Sequence, residues 1–333
     1  MFNFISRLKN TAIFQGNLNK RGYFEGWYFK QVGNFGNNKL AFIPGISLSG
    51  VDDHSFIQVY DGSSGYSKYI KFELEEFLPK KDPFSIEIGN CCFKLTGIEI
   101  DIPEMDIVGS LKYSKHSLYK SRWFEHGIMG WYGFVPFLET YHGLISMNHN
   151  VDGKMNIGGT DHVFNGGKGY IEKDWGHSFP SSWIWMQSNS FSKTRTSLMV
   201  SVAVIPWLRS SFVGHIAVLL IDDEIINFST YRGGKITSLV YREDGVSLIV
   251  ETGIYSLKIN AIRGDSAVLH SPLKGEMKGR TIESLSGILE VSLICKKGDK
   301  QVFSDIGQNA GLEIMDENKD LGRRLGFKSV SDA

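Results

Sequence analysis

Cysteine and proline are scarce in this chain, at three and eight of 333 residues. Cys91, Cys92 and Cys295 are odd in number and lack the paired spacing of a metal site. Neighbours on a strand face opposite ways, so Cys91 and Cys92 are badly placed to bridge each other. A disulfide-built fold is therefore excluded, and a reducing, cytoplasmic setting is the expectation. Charge of one sign is lacking as well, since 36 basic residues balance 36 acidic ones. Nucleic-acid binders carry a basic excess or stripe, and neither is visible here. No apolar run approaches the roughly 18–20 residues that span a bilayer, and Met1–Lys20 holds no continuous apolar stretch of a leader. Several catalytic signatures are missing too. There is no P-loop, no dinucleotide fingerprint and no Gly-x-Ser-x-Gly, and the nine histidines form no His-x-x-x-His pair. Neither a metal nor a redox cofactor is expected.

Glycine and aromatic residues are plentiful, with 37 glycines and 13% aromatics. Together with so few prolines, they suit many short strands joined by tight turns. From Trp183 to Met315, short apolar or alternating runs recur every eight to twelve residues. Turn pairs such as Asp222-Asp223, Gly233-Gly234, Asp244-Gly245 and Gly298-Asp299 separate them. Hairpins without intervening helices make a meander, which tends to curl into a barrel and so remove its edges. The first half also reads as strands, less regularly, from Gly22–Val32 to Lys168–Asp174. Gly143–His149 and Met155–Ile157 read there as separate strands, as do Gln301–Ile306 and Leu312–Met315 in the second half. Leu118–Phe137 reads as a long loop or a short helix. Helices are expected only at Phe2–Lys9 and just after Asp316. The length exceeds one ordinary core. The expectation is an all-β chain of two similar barrel or sandwich units, residues 1–178 and 179–333.

The densest motif is GKGYIEKDWGHSFPSSWIWMQSNSF, Gly167–Phe191. On a strand, Tyr170, Glu172 and Asp174 share one face while Ile171 and Lys173 share the other. Two carboxylates on one face can raise a pKa and give an acid near neutral pH, although a solvated strand end is the commoner meaning of such spacing. Trp183, Trp185, Gln187 and Asn189 also share a face. Period-two tryptophans usually fill a core, but an indole face also attracts a cation. In GYFEGWYFK, Glu25 and Trp27 share a face. In MGWYGFVPFLETYHGLIS, Glu139 and His142 follow an aromatic run that suits a cover over an apolar pocket, a membrane-touching loop or a buried connection. Five of the seven tryptophans fall between Trp123 and Trp185, which favours a shared aromatic cavity.

These motifs carry a resemblance. EGWYFK at Glu25–Lys30, WYGFVPFLE at Trp131–Glu139, the Gly169–Asn189 string and GHIAVLLIDDEIINF resemble tocopherol cyclases, nearly end to end. The resemblance implies two lipocalin-like, calycin-related antiparallel β-units. It also implies a cofactor-independent cyclase, an intramolecular lyase or isomerase that closes a prenylated hydroquinone into a chromanol. Glu25, Trp27, Glu139, Glu172, Trp175, Phe179, Pro180, Trp183, Trp185, Gln187 and Asn189 fit the family pattern. Plant members typically have Asn where this chain has Asp174, and His142 does not match their pattern. Such chemistry needs a carboxylic acid, a dry pocket and aromatic faces toward a tertiary cation. The expected acids are Glu172 first, then Glu25 and Glu139, with Asp174 tuning the first. Tyr28, Trp27, Trp131, His142, Trp175, His177, Trp183, Trp185, Gln187 and Asn189 are expected to bind substrate, converging with Glu25 where the halves join. A carrier of a hydrophobic molecule, and a hydratase or pericyclic cyclase of the same fold, remain open alternatives. The expected partner is a hydrophobic isoprenoid, with peripheral membrane contact left open.

Overall fold

The computed structural model describes residues 10–34, 36–120 and 125–327. Strands take 63% of the described residues and helix 7%. A third of residues would be helical in an average globular protein, so the all-β expectation holds. Two compact units are formed. One contains the described residues up to Phe179 together with Val268–Arg280, and the other contains Pro180–Ala267 and the described part of Thr281–Ala333.

The first unit is built from β1 (Tyr23–Val32), β2 (Lys39–Leu48), β3 (His54–Asp61), β4 (Tyr66–Phe72), β5 (Leu78–Lys81) and β6 (Phe84–Ile88). To these are added β7 (Cys91–Lys94), β8 (Gly97–Ile102), β9 (Ile107–Leu118), β10 (Thr140–Ile157), β11 (Thr160–Val163) and β12 (Gly167–Gly176). Their order across the sheet is β4-β3-β2-β1-β12-β10-β9-β8-β7-β6-β5, with β11 beside β10. The second unit uses β13 (Trp183–Ser188), β14 (Ser197–Trp207), β15 (Ser210–Ile221), β16 (Glu224–Asn227), β17 (Lys235–Tyr241) and β18 (Gly245–Glu251). Its sheet is completed by β19 (Tyr255–Ile262), β20 (Ser266–Leu273), β21 (Glu276–Cys295) and β22 (Lys300–Met315), of which the stretch Val268–Arg280 belongs to the first unit. Their order is β16-β15-β14-β13-β22-β21-β19-β18-β17, with β20 beside β21.

Both units follow one plan. First and last strands pair, β1 with β12 and β13 with β22, so each curled sheet closes at its ends in sequence. The ladder opens instead after the fourth strand, between β4 and β5 or between β16 and β17. A short 3-10 turn occupies each opening, Leu74–Glu76 and Thr230–Arg232. One face of each sheet is apolar and packs on itself. Trp27, Phe29, Phe42, Phe93 and Ile171 lie in the first core, and Leu198, Val200, Leu219, Leu257 and Leu312 in the second.

The boundaries depart from the sequence reading where glycine and bulges interrupt hydrophobic runs. Gly143–His149 and Met155–Ile157 are parts of one strand, β10, whose polar middle follows bulges near Ser146 and Asn148. Gln301–Ile306 and Leu312–Met315 likewise join as β22. The short polar strands β5 and β11 carry no hydrophobic alternation and were not anticipated. Of Leu118–Phe137, Leu118 ends β9 and Gly127–Phe134 forms 3-10 turns. The expected terminal helix is present as α1 (Asp320–Arg324). Phe2–Lys9 and Trp123 lie outside the described residues. Asp222 and Asp223 take φ of 49° and 70°, as the mirror-image hairpin turn requires.

Candidate active site

Strand β12 is central to the first sheet, with β1 on one side and β10 on the other. Directly opposed residues of antiparallel strands share a face, so the register assigns each side chain. Glu172 lies opposite Tyr28 on β1 and Leu144 on β10, and Asp174 lies opposite Gly26 and His142. The expected alternation along Tyr170, Glu172 and Asp174 is observed. These three side chains and His142 stand on the face away from the apolar core.

His142 bridges the two carboxylates. Its Nδ1–H donates to Asp174 Oδ1 at 2.8 Å, and its Nε2 lies 3.3 Å from Glu172 Oε2. The Tyr170 hydroxyl donates to Glu172 Oε2 at 2.5 Å. Burial alone would lower the imidazole pKa. The charges of Glu172 and Asp174, with the hydrogen bonds to them, reverse that and hold it well above its ordinary value. The protonated imidazolium is therefore the favoured form of His142. Burial, followed by the Glu172 charge, pushes the Tyr170 hydroxyl well up, so it remains a donor. Exposure falls along the cluster. The Asp174 side chain is 25% exposed, His142 10% and Glu172 5%. The cluster thus runs from the partly exposed Asp174, through His142, to the buried Glu172 carboxylate.

The opposite face of the same strands holds a second charged group. Lys173 and Glu25 form an ion pair with no exposure of either side chain. Glu25 also accepts from the Tyr23 hydroxyl at 2.5 Å and from the backbone N–H groups of Gln15 and Gly16. The Lys173 ammonium donates to Ile13 O at 2.8 Å and lies 4.5 Å from the Trp27 ring and 4.9 Å from the Trp175 ring. Burial lowers the Lys173 pKa, and the Glu25 charge works against that. Glu25 is thus a fully committed acceptor inside the core. The expectation that it converges with Glu172 is corrected here, because the thickness of a sheet separates them. The reason is parity: the register places Glu25 opposite Trp175 and Glu172 opposite Tyr28.

The remaining expected residues divide between the units. In the first, Trp27 and Trp175 flank Lys173, and Trp175 stacks on Tyr141 at 5.5 Å. Tyr28 is buried on the Glu172 face. The Glu139 carbonyl accepts from the N–H groups of His177 and Ser178, just before β10 begins. The His177 ring is exposed and bonds Gly22 O at 2.7 Å through Nδ1. Trp131 is 48% exposed on the Gly127–Phe134 turns. In the second unit, Trp183, Trp185 and Gln187 share the face of β13 that turns away from its core, and Asn189 follows, buried. Trp183 Nε1–H donates to Glu313 Oε2 at 2.5 Å. The Trp185 indole lies against Gly311, where a Cβ would come within 2.6 Å of the ring. Glu283 lies opposite Glu313 on the neighbouring strand. Sequence reading assigns no role to Glu283, Glu313 or Lys173, although it sets Lys173 on the face opposite Glu172. Tyr170 had been placed on the right face without a role.

Among the described residues, ligating atoms of His142, Glu172 and Asp174 lie within 4.8 Å of one another, near enough for a divalent cation. His142 spends one ring nitrogen on each carboxylate, so a metal would have to displace both contacts. The donor set fits an acid–base relay better.

A family model described as tocopherol cyclase-like matches residues 116–315, well over half of the chain. The protein belongs to the tocopherol cyclase-like family. The matched range contains His142, Tyr170, Glu172, Asp174 and the Trp183–Asn189 string, whereas the GYFEGWYFK motif falls outside it. Comparison with curated sequences gives no significant match. Among solved structures, CghA is similar at 11% identity and TM-score 0.56, over 88% of each chain, and so is CghA with Sch210972. A protein assigned as an AttH of Nitrosomonas europaea is similar at 14% identity and TM-score 0.52, over 90% of this chain and 94% of its own. At such identities these likenesses establish the fold of this tocopherol cyclase-like protein.

Proposed function

We propose that this protein is a cofactor-independent cyclase acting on a prenylated hydroquinone or a similar isoprenoid. The observation that carries the reading is a buried histidine bridging two carboxylates of graded exposure. In the proposed reaction the His142 imidazolium passes its Nε2 proton to Glu172, which delivers it to the less substituted carbon of the prenyl alkene, giving a tertiary cation. The neighbouring phenol oxygen attacks that cation, closes the ring and releases its proton. The relay through His142 and Asp174 restores the starting protonation, so the net change is an isomerisation. General acid catalysis contributes about 10²–10⁴-fold, and electrostatic placement around the cation adds to it. A passive carrier has no need of a buried charged relay, which would only weaken an apolar ligand site.

A second reading draws on the exposure of Asp174. Water reaching that carboxylate could capture the same cation and yield a tertiary alcohol, making the enzyme a hydratase. Incubation of the purified protein with a prenylated hydroquinone, followed by mass spectrometry, tests both. A product of unchanged mass with a new chromanol spectrum supports the cyclase, and a gain of one water supports the hydratase. Recovery of unaltered substrate across a panel of prenyl lengths overturns the proposal.

A further inference from the structure

The segment from Gly127 to Leu138, GIMGWYGFVPFL, contains no charged residue in a protein whose composition is 22% charged. Gly127–Phe134 forms two 3-10 turns kinked at Gly130, and Val135 after them is extended. Gly127, Gly130 and Gly133 face inward. A Cβ at Gly133 would lie 2.5 Å from His126, and one at Gly127 would lie 2.8 Å from Thr11. Trp131, Phe134 and Phe137 face outward and are 48%, 42% and 48% exposed. The inner side is anchored. The Tyr141 hydroxyl donates to Val135 O, and the His126 ring packs edge-on against Trp175 at 6.0 Å. Glycine thus presses the backbone onto the body of the unit while a row of aromatic rings is held out from it.

We infer that this row is a membrane-docking surface that seats the first unit on a lipid bilayer. Exposed Trp and Phe on a segment with no charge of its own are the side chains that settle at the boundary between headgroups and acyl chains. A protein partner fits less well. An aromatic side chain buries about 150–250 Å² when covered, so three half-exposed rings offer ~300 Å². A stable protein interface needs about 800 Å² from each partner. The absence of charge makes the attraction apolar, so it is independent of anionic lipid and of salt. The inference goes beyond the cyclase reading and stands without it.

Flotation of the full chain with phosphatidylcholine vesicles tests the docking. The protein is expected to float with them at low and high salt alike. Phe134→Ser/Phe137→Ser should weaken binding by about tenfold or more, and Trp131→Ser tests the row independently. Circular dichroism and unfolding midpoints should be unchanged in these surface variants. Docking is overturned if the wild type stays unbound, if the variants bind as well as it does, or if binding needs anionic lipid and vanishes with salt. It is also overturned if the row drives self-association and not flotation. In vesicle-free solution, Phe134→Ser/Phe137→Ser should turn over a short-tailed hydroquinone as the wild type does, which separates failed docking from failed chemistry.

Discussion

Glu172 and Lys173 are chain neighbours that point to opposite faces of one sheet, and each is paired there with a different ion. Glu172 meets the His142 imidazolium in a partly wet cluster, and Lys173 meets Glu25 in the dry core. One strand therefore separates an acid–base group from a structural ion pair by a single residue. Substitutions at adjacent positions should have different consequences.

At position 172, Glu172→Gln keeps shape and hydrogen bonding but cannot deliver a proton. Turnover of a prenylated hydroquinone should fall by about 10²–10⁴-fold with the fold intact. Asp174→Asn keeps the contact to His142 and should lose less. Steady-state rates of the two variants, measured side by side, check the order.

At position 173, Lys173→Met leaves the Glu25 carboxylate buried and unpaired, at a cost of about 3–5 kcal/mol. Glu25→Gln/Lys173→Met removes both charges and keeps an acceptor for the Gln15 and Gly16 amides. Urea unfolding should find the double variant more stable than Lys173→Met alone, with a negative coupling between the two sites.

His142 sets an alkaline limit. Its folded pKa lies well above the unfolded value of about 6.5, so its contribution is complete below that pH. The contribution is lost as pH rises through the folded value. His142→Gln should flatten the fall in unfolding free energy on the alkaline side, and histidine NMR should find the wild-type ring still protonated well above pH 6.5.

His126 sets an acid limit of opposite sign. Among the described residues, neither ring nitrogen has a hydrogen-bond partner. Burial, then the Lys173 charge, lowers its pKa to about 4. The neutral ring favours the folded state above about pH 6.5, and that advantage is lost as pH falls toward the folded value. His126→Leu should raise the midpoint at pH 5 relative to pH 7, within a ceiling of about 3 kcal/mol.

Much of the architecture was legible in the sequence because its signals are local. Turn pairs such as Asp222-Asp223 and apolar runs such as Ser197–Ile205, which lies within β14, need no partner to be recognised. The face shared by Tyr170, Glu172 and Asp174 follows from strand parity alone. The partners of that face were not legible. That His142 sits between Glu172 and Asp174 depends on the register of β10 against β12, and two bulges in β10 break any count along the chain. The same applies to Glu25, whose face relative to Glu172 is set by the β1–β12 register. The burial of Lys173 has no local signal, since a lysine in a strand is usually solvated. Its burial becomes apparent only when Ile13 and Glu25 are brought to it from distant parts of the chain.

The first unit includes Val268–Arg280, which follows Phe179 by roughly a hundred residues in the chain. Within it, Ser47 Oγ–H donates to Gly275 O, and the His270 N–H donates to Gln58. On the ribosome these partners arrive late. At about 5–20 residues per second, the first unit must wait several seconds after its last contiguous strand has emerged. During that interval Ser47 and Gln58 have only water to bond, and the unit should remain open to proteases and chaperones. Nascent chains arrested before residue 268 should therefore be cleaved within the first unit far faster than chains arrested beyond residue 280 once both have cleared the exit tunnel.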